Sequence, residues 1–134
     1  MERHSFPDTT VPAAYGAYSH AVVAGDFVFI SGQIARHATG EFAGGDVASQ
    51  TARCIEIVAD ILGRFDLTLA DVARCTVYLA DIADFPVMNA VFAKAFGATL
   101  PARSTPQVQM PFGAKVGLEV TAFRGSRPAP TRTS

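Results

Sequence analysis

The chain has 134 residues, of which 49% are hydrophobic and 17% are charged, and its formal net charge is −1. This length predicts one domain over residues 1–134 with a real core, and the apolar composition excludes disorder and favours a subunit interface. The nearly neutral charge argues against an electrostatic nucleic-acid partner, and charged residues interrupt every apolar run before it could span a membrane.

The start of the chain is predicted to be an irregular arm over residues 1–14, because Pro7 and Pro12 interrupt it. No apolar signal-peptide stretch lies there, so a cytoplasmic protein is the default expectation. The far end, residues 124–134, contains Pro128 and Pro130 and is predicted to be a loose tail. The core is therefore expected over about residues 11–124.

Between these ends the pattern predicts five strands and two helices in the order β-β-α-β-α-β-β. The strands have β-prone composition or period-two alternation, and the helices have apolar residues at three- and four-residue spacing. In chain order the segments are 21–24, 27–34, a helix at about 46–65, 72–79, a helix at about 84–97, 103–110 and 116–123.

The two helices each have one apolar face, so both are expected to cover the same side of one sheet. Strand-helix-strand connections imply parallel pairs, which makes the sheet mixed. The other side of the sheet carries large apolar residues and no helix. A second subunit or a ligand is therefore expected to cover it.

Arg103 and Glu119 are the charged residues most suited to chemistry, because each lies in a strand among apolar neighbours. Arg103 either binds a carboxylate through two parallel hydrogen bonds or forms an ordinary ion pair at a strand end. Glu119 either orients or deprotonates a water, or is a structural partner for Lys115 or an arginine. If their strands are neighbours, the two side chains can meet over one pocket.

Four polar side chains are further candidates. Ser31 and Thr105 either donate hydrogen bonds into the same pocket or bond to backbone, and Tyr18 either presents its phenol to a ligand or packs as an aromatic ring. Asn89 on the second helix is expected to satisfy a backbone group. Gly32, after Ser31, lets another backbone or a ligand approach closely.

Metal and nucleotide chemistry have little support in the sequence. Cys54 and Cys75 fit no metal spacing and are predicted to be reduced core thiols. His4, His20 and His37 are placed far apart in loops and ends, and no glycine-rich phosphate loop has the needed spacing. A nucleotide enzyme and a zinc protein therefore have weak support.

Several short segments, in this order, resemble the YjgF/RidA family of enamine/imine deaminases. They are 15–22 (YGAYSHAV) with Gly25-Asp26, 30–34 (ISGQI), 76–81 (TVYLAD), Asn89, 101–104 (PARS) and 118–122 (LEVTA). The resemblance covers about residues 11–124. It implies a chorismate-mutase-like α+β fold and a homotrimer whose sheets pack inward, with three clefts between subunits.

The resemblance also implies roles for individual residues. Arg103 is the carboxylate-binding residue, Glu119 positions the attacking water, and Thr105 stands where many members have cysteine. The cleft is lined by Tyr18, Ser31, Gly32, Arg103, Ser104 and Thr105. The implied activity is hydrolysis of 2-imino acids, formed from 2-aminoacrylate-type enamines, to 2-keto acids and ammonia. The resemblance implies no metal or organic cofactor.

Some positions depart from the family pattern. Ala17 replaces a proline, His20 replaces a common glutamine, and Ile57 replaces an asparagine found in many members. One alignment puts Gly117 in the acidic position, whereas Glu119 is preferred because Glu-Val-Thr-Ala fits the strand pattern. A non-catalytic or regulatory carboxylate-binding member is the alternative, and the mild acidic balance opposes a ribonuclease.

Overall fold

The computed structural model describes residues 1–6 and 10–125. Its six strands and two helices follow one another along the chain in the order β-β-β-α-β-α-β-β. They are β1 Glu2–His4, β2 Ala21–Ala24, β3 Phe27–Ile34, α1 Val47–Gly63, β4 Val72–Leu79, α2 Phe85–Phe96, β5 Ala102–Ser104 and β6 Val116–Phe123. Within the predicted tail, residues 126–134 lie outside the described part.

The strands form one mixed sheet in the order β1-β2-β3-β6-β4-β5. The β4–β5 pair is parallel and every other pair is antiparallel. The last strand, β6, is therefore inserted between β3 and β4. The pairing of β3 with β6 shifts register between Ile30 and Gln33, so an irregularity lies at Ser31 and Gly32.

The helices cover one side of the sheet, as their single apolar faces predict. Asp46 caps α1, because its side chain accepts a hydrogen bond from the Ser49 amide at 2.8 Å. The buried side of α1 packs on β3, β6 and α2. The predicted mixed sheet with two helices on one face is confirmed. In residues 1–6 and 10–125, neither helix combines the length and apolar character that crossing a bilayer requires.

Two predicted boundaries are wrong. The arm begins with a strand, because β1 pairs with residues 21–23 of β2 ahead of the first proline. The strand predicted at 103–110 is regular only over 102–104. Pro106 has no amide hydrogen to donate, so the regular strand ends before it. Beyond this point two isolated backbone hydrogen bonds hold the chain to β4: the Leu79 amide donates to the Pro106 carbonyl at 3.0 Å, and the Val108 amide donates to the Leu79 carbonyl at 2.9 Å.

The side of the sheet away from the helices carries exposed aromatic rings. Phe27 is 43% exposed and Phe29 is 44% exposed. Phe27 also contacts Phe123, with ring centroids 5.2 Å apart. The structure thus has the uncovered apolar face that the sequence predicts, and burial of this face would favour association.

Ile57 offers a test of the helix-on-sheet core, since its side chain is fully buried. We expect Ile57→Ala to lower the free energy of unfolding by about 2–5 kcal/mol, through lost burial and the cavity left behind. Urea unfolding measures the change. Val87→Ala, at a helix position that is 50% exposed, is the control, and an equal loss in both variants would contradict the assigned core.

Candidate active site

Arg103 lies on the edge strand β5 and points to the helix side of the sheet. Its register partner in the parallel pair is Cys75, which is buried in the core. One guanidinium nitrogen, Nη2, donates to Oδ1 of Asn89 at 2.8 Å. The guanidinium carbon lies 4.6 Å from the ring centroid of Phe92 and 5.3 Å from that of Phe85. Two rings and an amide therefore fix the cation.

The charge of Arg103 is not neutralised by an acidic side chain. Among the described residues, no carboxylate forms an ion pair with it. Asn89 supplies a neutral oxygen to the guanidinium, which corrects the expectation that it satisfies a backbone group. A cavity of about 330 Å³, lined by Leu100 and Pro101 among others, adjoins the cation. This arrangement is suited to binding a small anion.

Glu119 lies on the opposite side of the sheet. Its register partner on the neighbouring strand β4 is Thr76, and its side chain lines a cavity of about 200 Å³. The hydroxyl of Tyr78 donates to Oε1 of Glu119 at 2.5 Å. That hydrogen bond, followed by burial, raises the pKa of the Tyr78 phenol. The structural partner of Glu119 is therefore Tyr78, and the expectation of Lys115 or an arginine is wrong.

Arg103 and Glu119 do not meet within one chain. Their strands are not neighbours, because β4 lies between β5 and β6. Side chains alternate between the two faces along each strand, and the registers place Arg103 with Cys75 on one face and Glu119 with Thr76 on the other. The shared pocket that neighbouring strands would have formed is therefore absent from the described part of a single chain.

Tyr18, Ser31 and Gly32 form a second group near the irregular part of β3. The Ser31 hydroxyl donates to the Ser19 carbonyl at 2.5 Å, and the Tyr18 hydroxyl accepts from the Tyr15 amide at 3.3 Å. Tyr18 also packs edge-on against Tyr15, with centroids 5.7 Å apart. Gly32 is exposed, and a Cβ placed there would have no neighbour within 4 Å among the residues that the structure describes. Space for a ligand therefore exists beside Gly32.

Ser104 and Thr105 follow Arg103 along the chain. The Ser104 hydroxyl accepts a hydrogen bond from Nη2 of Arg74 at 2.9 Å, on the side of the sheet that carries Glu119. Thr105 is half-buried just beyond β5. Of these three consecutive residues, Arg103 is the one whose side chain contacts α2, through Asn89 and Phe92.

Four of the predicted site residues fall into two groups in one chain, and Glu119, Ser104 and Thr105 belong to neither group. Three strand spacings separate β5, which carries Arg103, from β3, which carries Ser31 and Gly32, and this corresponds to roughly 14 Å. A three-carbon acid cannot touch both groups at that separation. We call them the arginine half-site (Arg103, Asn89) and the glycine half-site (Tyr18, Ser31, Gly32).

The remaining reactive side chains have structural roles. Cys54 and Cys75 are unpaired and buried, and burial raises the pKa of each thiol to about 12. The buried His20 accepts a hydrogen bond from the Phe6 amide at 3.0 Å and donates to the Pro12 carbonyl at 2.8 Å, with the tautomer set by these partners. The two thiols are the reduced core residues that the sequence predicts.

Tyr78 contacts a candidate site residue, and sequence reasoning missed this contact. Its strand alternation places it on the same face as Thr76, but only the insertion of β6 beside β4 brings it to Glu119. The role of Asn89 was also missed, because its contact with Arg103 arises only when α2 packs over β5. Residue spacing reveals neither the strand order nor this packing.

The sheet order, the two helices on one face and the uncovered opposite face define a small α+β protein. The sequence profile of the family described as endoribonuclease L-PSP matches residues 9–124. The chain therefore belongs to this family, which is the YjgF/RidA family that its motifs resemble.

Curated relatives agree with this assignment. A RutC family protein of Pyrococcus horikoshii is 40% identical over 115 residues, which are 84% of this chain and 91% of the relative. A 2-iminobutanoate/2-iminopropanoate deaminase of Rattus norvegicus is 35% identical over 116 residues, which are 85% of each chain. These similarities support deaminase activity at the level of the family.

Solved structures share the fold. RidA from an Antarctic Psychrobacter species is 33% identical with a TM-score of 0.85, covering 92% of this chain and 99% of its own. TdcF of E. coli, solved with bound serine, is 34% identical with a TM-score of 0.82 and the same two coverages. The predicted YjgF/RidA fold is therefore confirmed.

The Tyr78–Glu119 hydrogen bond predicts a titration change. Glu119→Gln should lower the pKa of the Tyr78 phenol, because it removes the carboxylate whose hydrogen bond raises that pKa. The near-ultraviolet absorbance of tyrosinate follows the titration, and subtracting a Tyr78→Phe curve in the same background isolates Tyr78. Glu41→Gln is the control, and an unchanged Tyr78 titration in Glu119→Gln would contradict the assigned bond.

The same bond has a stability consequence with a defined sign. A raised pKa means that the folded chain holds the phenolic proton more tightly than the unfolded chain does. The contribution is therefore complete below pH about 10, the unfolded value for tyrosine, and is lost as pH rises through the folded pKa.

Proposed function

We propose that the chain is a hydrolytic deaminase of reactive 2-enamine and 2-imino acids, which it converts to 2-keto acids and ammonia. The observation that carries the proposal is the half-buried guanidinium of Arg103, which is held by Asn89 and Phe92 and has no carboxylate partner among the described residues. Such a cation is suited to the carboxylate of a small acid. The similarity to a named imine deaminase adds support.

In the proposed reaction Arg103 binds the substrate carboxylate and fixes the imine carbon. Backbone groups near Arg103 and Thr105 polarise the carbon–nitrogen bond, and Glu119 holds a water against the carbon. The water oxygen bonds to that carbon, protons pass to the nitrogen, and the carbon–nitrogen bond breaks to release ammonia. Imines also hydrolyse freely, so positioning and electrostatics suffice for this step.

We further propose that the site forms between copies in a homotrimer. The two half-sites lie too far apart within one chain, so a second copy must bring its Arg103 to the glycine half-site. Glu119 needs no second copy, because it lies on β6 opposite the irregular part of β3 that carries Ser31 and Gly32. The uncovered aromatic face, with Phe27 and Phe29 exposed, supplies apolar surface for such an interface. A cytoplasmic location is also proposed, on the basis of the two unpaired thiols, Cys54 and Cys75.

Arg103 substitutions test the carboxylate anchor. We expect Arg103→Ala to lower kcat/KM for 2-aminoacrylate at least about 100-fold, because charge-assisted hydrogen bonds to the substrate are lost. Arg103→Lys should restore little, since an ammonium cannot make the paired contact. Arg124→Ala is the matched control, and Arg103→Ala protein with wild-type turnover would refute the mechanism.

Mixing two inactive variants tests the shared site. Arg103→Ala damages the arginine half-site, and Gly32→Leu fills the space beside the glycine half-site. After co-refolding of equal amounts, about a quarter of the sites in a cyclic trimer should carry both intact halves. Recovery of activity toward that level is expected, measured against each variant refolded alone. Activity no greater than the sum of the separate variants would contradict a site between copies.

A non-catalytic carboxylate-binding protein is the second candidate, and one observation favours it. Gly117 shares a pocket with Gly32 and carries no acid, whereas Glu119 lines a different cavity and is bonded to Tyr78. If position 117 is the acidic position of the family, this chain lacks the water-positioning carboxylate. The serine bound to TdcF illustrates the kind of small carboxylate such a protein would hold.

A coupled assay separates the two candidates. An amino-acid oxidase generates the imino acid, and keto acid release is timed with and without the protein. Acceleration supports the deaminase. Tight binding of a small carboxylate by calorimetry, with no acceleration for any side chain, favours the binding protein.

A further inference from the structure

An apolar pocket of about 210 Å³ lies beside the glycine half-site. Its lining includes Tyr15, Gly32, Tyr78, Met110 and Gly117, and we call it the aromatic pocket. Within residues 1–6 and 10–125, no acidic or basic side chain lines it. A cavity of about 150 Å³ with apolar walls is large enough to bind benzene. The aromatic pocket therefore has room for a phenyl ring.

Two polar side chains in its wall already have hydrogen-bond partners. The side-chain nitrogen Nε2 of Gln33 donates to the Ser31 carbonyl at 3.0 Å. The Tyr78 hydroxyl is directed to Glu119 at 2.5 Å, so the ring of Tyr78 faces the pocket while its polar end is engaged elsewhere. A ligand group that enters this space gains apolar contact without leaving these polar atoms unsatisfied.

The depth of the pocket depends on two glycines. A Cβ at Gly32 would project into open space, whereas a Cβ at Gly117 would lie 2.8 Å from the terminal methyl of Met110. Met110 therefore occupies the space that a side chain at position 117 would need. Its thioether is flexible, so the methyl group can adjust to the shape of an occupant.

The rim of the pocket is a fixed set of aromatic rings. Tyr15 packs edge-on against Phe112 at 5.2 Å, and the Arg36 guanidinium lies 5.0 Å from the Tyr15 ring centroid. Arg36 is itself held by the carbonyls of Ala13 at 2.7 Å and Gly40 at 2.9 Å. Tyr15 is thus supported from both sides.

Phe112 has an unusual backbone conformation for an aromatic residue. Its φ is 57° and its ψ is 18°, and its side chain is 60% exposed. The left-handed conformation costs about 1–2 kcal/mol for a residue other than glycine. Such cost at an exposed position is typical of a residue that the surrounding structure holds for a functional reason.

We infer that the aromatic pocket binds the side chain of the carboxylate ligand and selects ligands with large apolar, especially aromatic, side chains over three-carbon acids. The inference rests on the proposed function only in taking the ligand to be a 2-imino or 2-keto acid. The pocket adjoins Gly32, so a side chain placed in it leaves the reacting end of the ligand at the glycine half-site. Burial of the apolar side chain in the pocket then favours large ligands over three-carbon acids.

Calorimetric binding of two stable keto acids, phenylpyruvate and pyruvate, tests the inference without turnover. Wild-type protein should bind phenylpyruvate at least about tenfold more tightly than pyruvate. In Tyr15→Ala and Met110→Glu proteins that affinity ratio should fall at least about fivefold, because one variant removes a wall and the other places a charge in the pocket. Val87→Ala, an exposed helix position, should keep the wild-type ratio.

The outcomes separate this inference from the deaminase assignment. A wild-type ratio near one, or a ratio that Met110→Glu leaves unchanged, overturns the aromatic pocket as a specificity site, even if imino acids are hydrolysed. A high ratio that falls in both pocket variants supports it, even if the coupled assay shows no acceleration. If Tyr15→Ala protein does not fold, Met110→Glu decides the question.

Discussion

The candidate site depends on a cation that is fixed by neutral groups. A guanidinium against two aromatic rings and an amide oxygen is oriented without losing its net charge. An aspartate in place of Asn89 would hold Arg103 equally well but would also satisfy it electrostatically, and a ligand carboxylate would then compete with an internal one. Asn89 thus leaves the positive charge available at the edge of the sheet.

Strand order determines what that cation can reach. The insertion of β6 between β3 and β4 puts two strands between β5 and β3, and the alternation of side chains directs Arg103 and Glu119 to opposite faces. Both effects separate groups that small-acid chemistry would need together. Phe27 and Phe29 are exposed on the Glu119 side, and apolar surface of this kind favours association. The proposed assembly of copies would cover these rings and bring the separated groups together.

Residue patterns predicted the parts of the fold that depend on local periodicity. The apolar stripe of α1, the Asp46 cap and the alternation in β4 and β6 are all local signals, and each is present in the structure. The missed strand β1 is three residues long, too short to show alternation ahead of Pro7. The partner of Glu119 was not predicted because it requires the sheet order, which arises from pairings between distant segments. The partner of Arg103 was not predicted because it requires the packing of α2 over the strand that follows it.

Tyr78 links the aromatic pocket to the cavity that contains Glu119. Its ring forms a wall of the aromatic pocket, and its hydroxyl donates to Glu119 in the neighbouring cavity. A ligand side chain that presses on this ring therefore acts on the group that orients the Glu119 carboxylate. Because the hydrogen bond is short and the phenol retains its proton well above neutral pH, the coupling is through position and not through proton loss. In the proposed site, selection of the side chain and placement of the acid would therefore both depend on Tyr78.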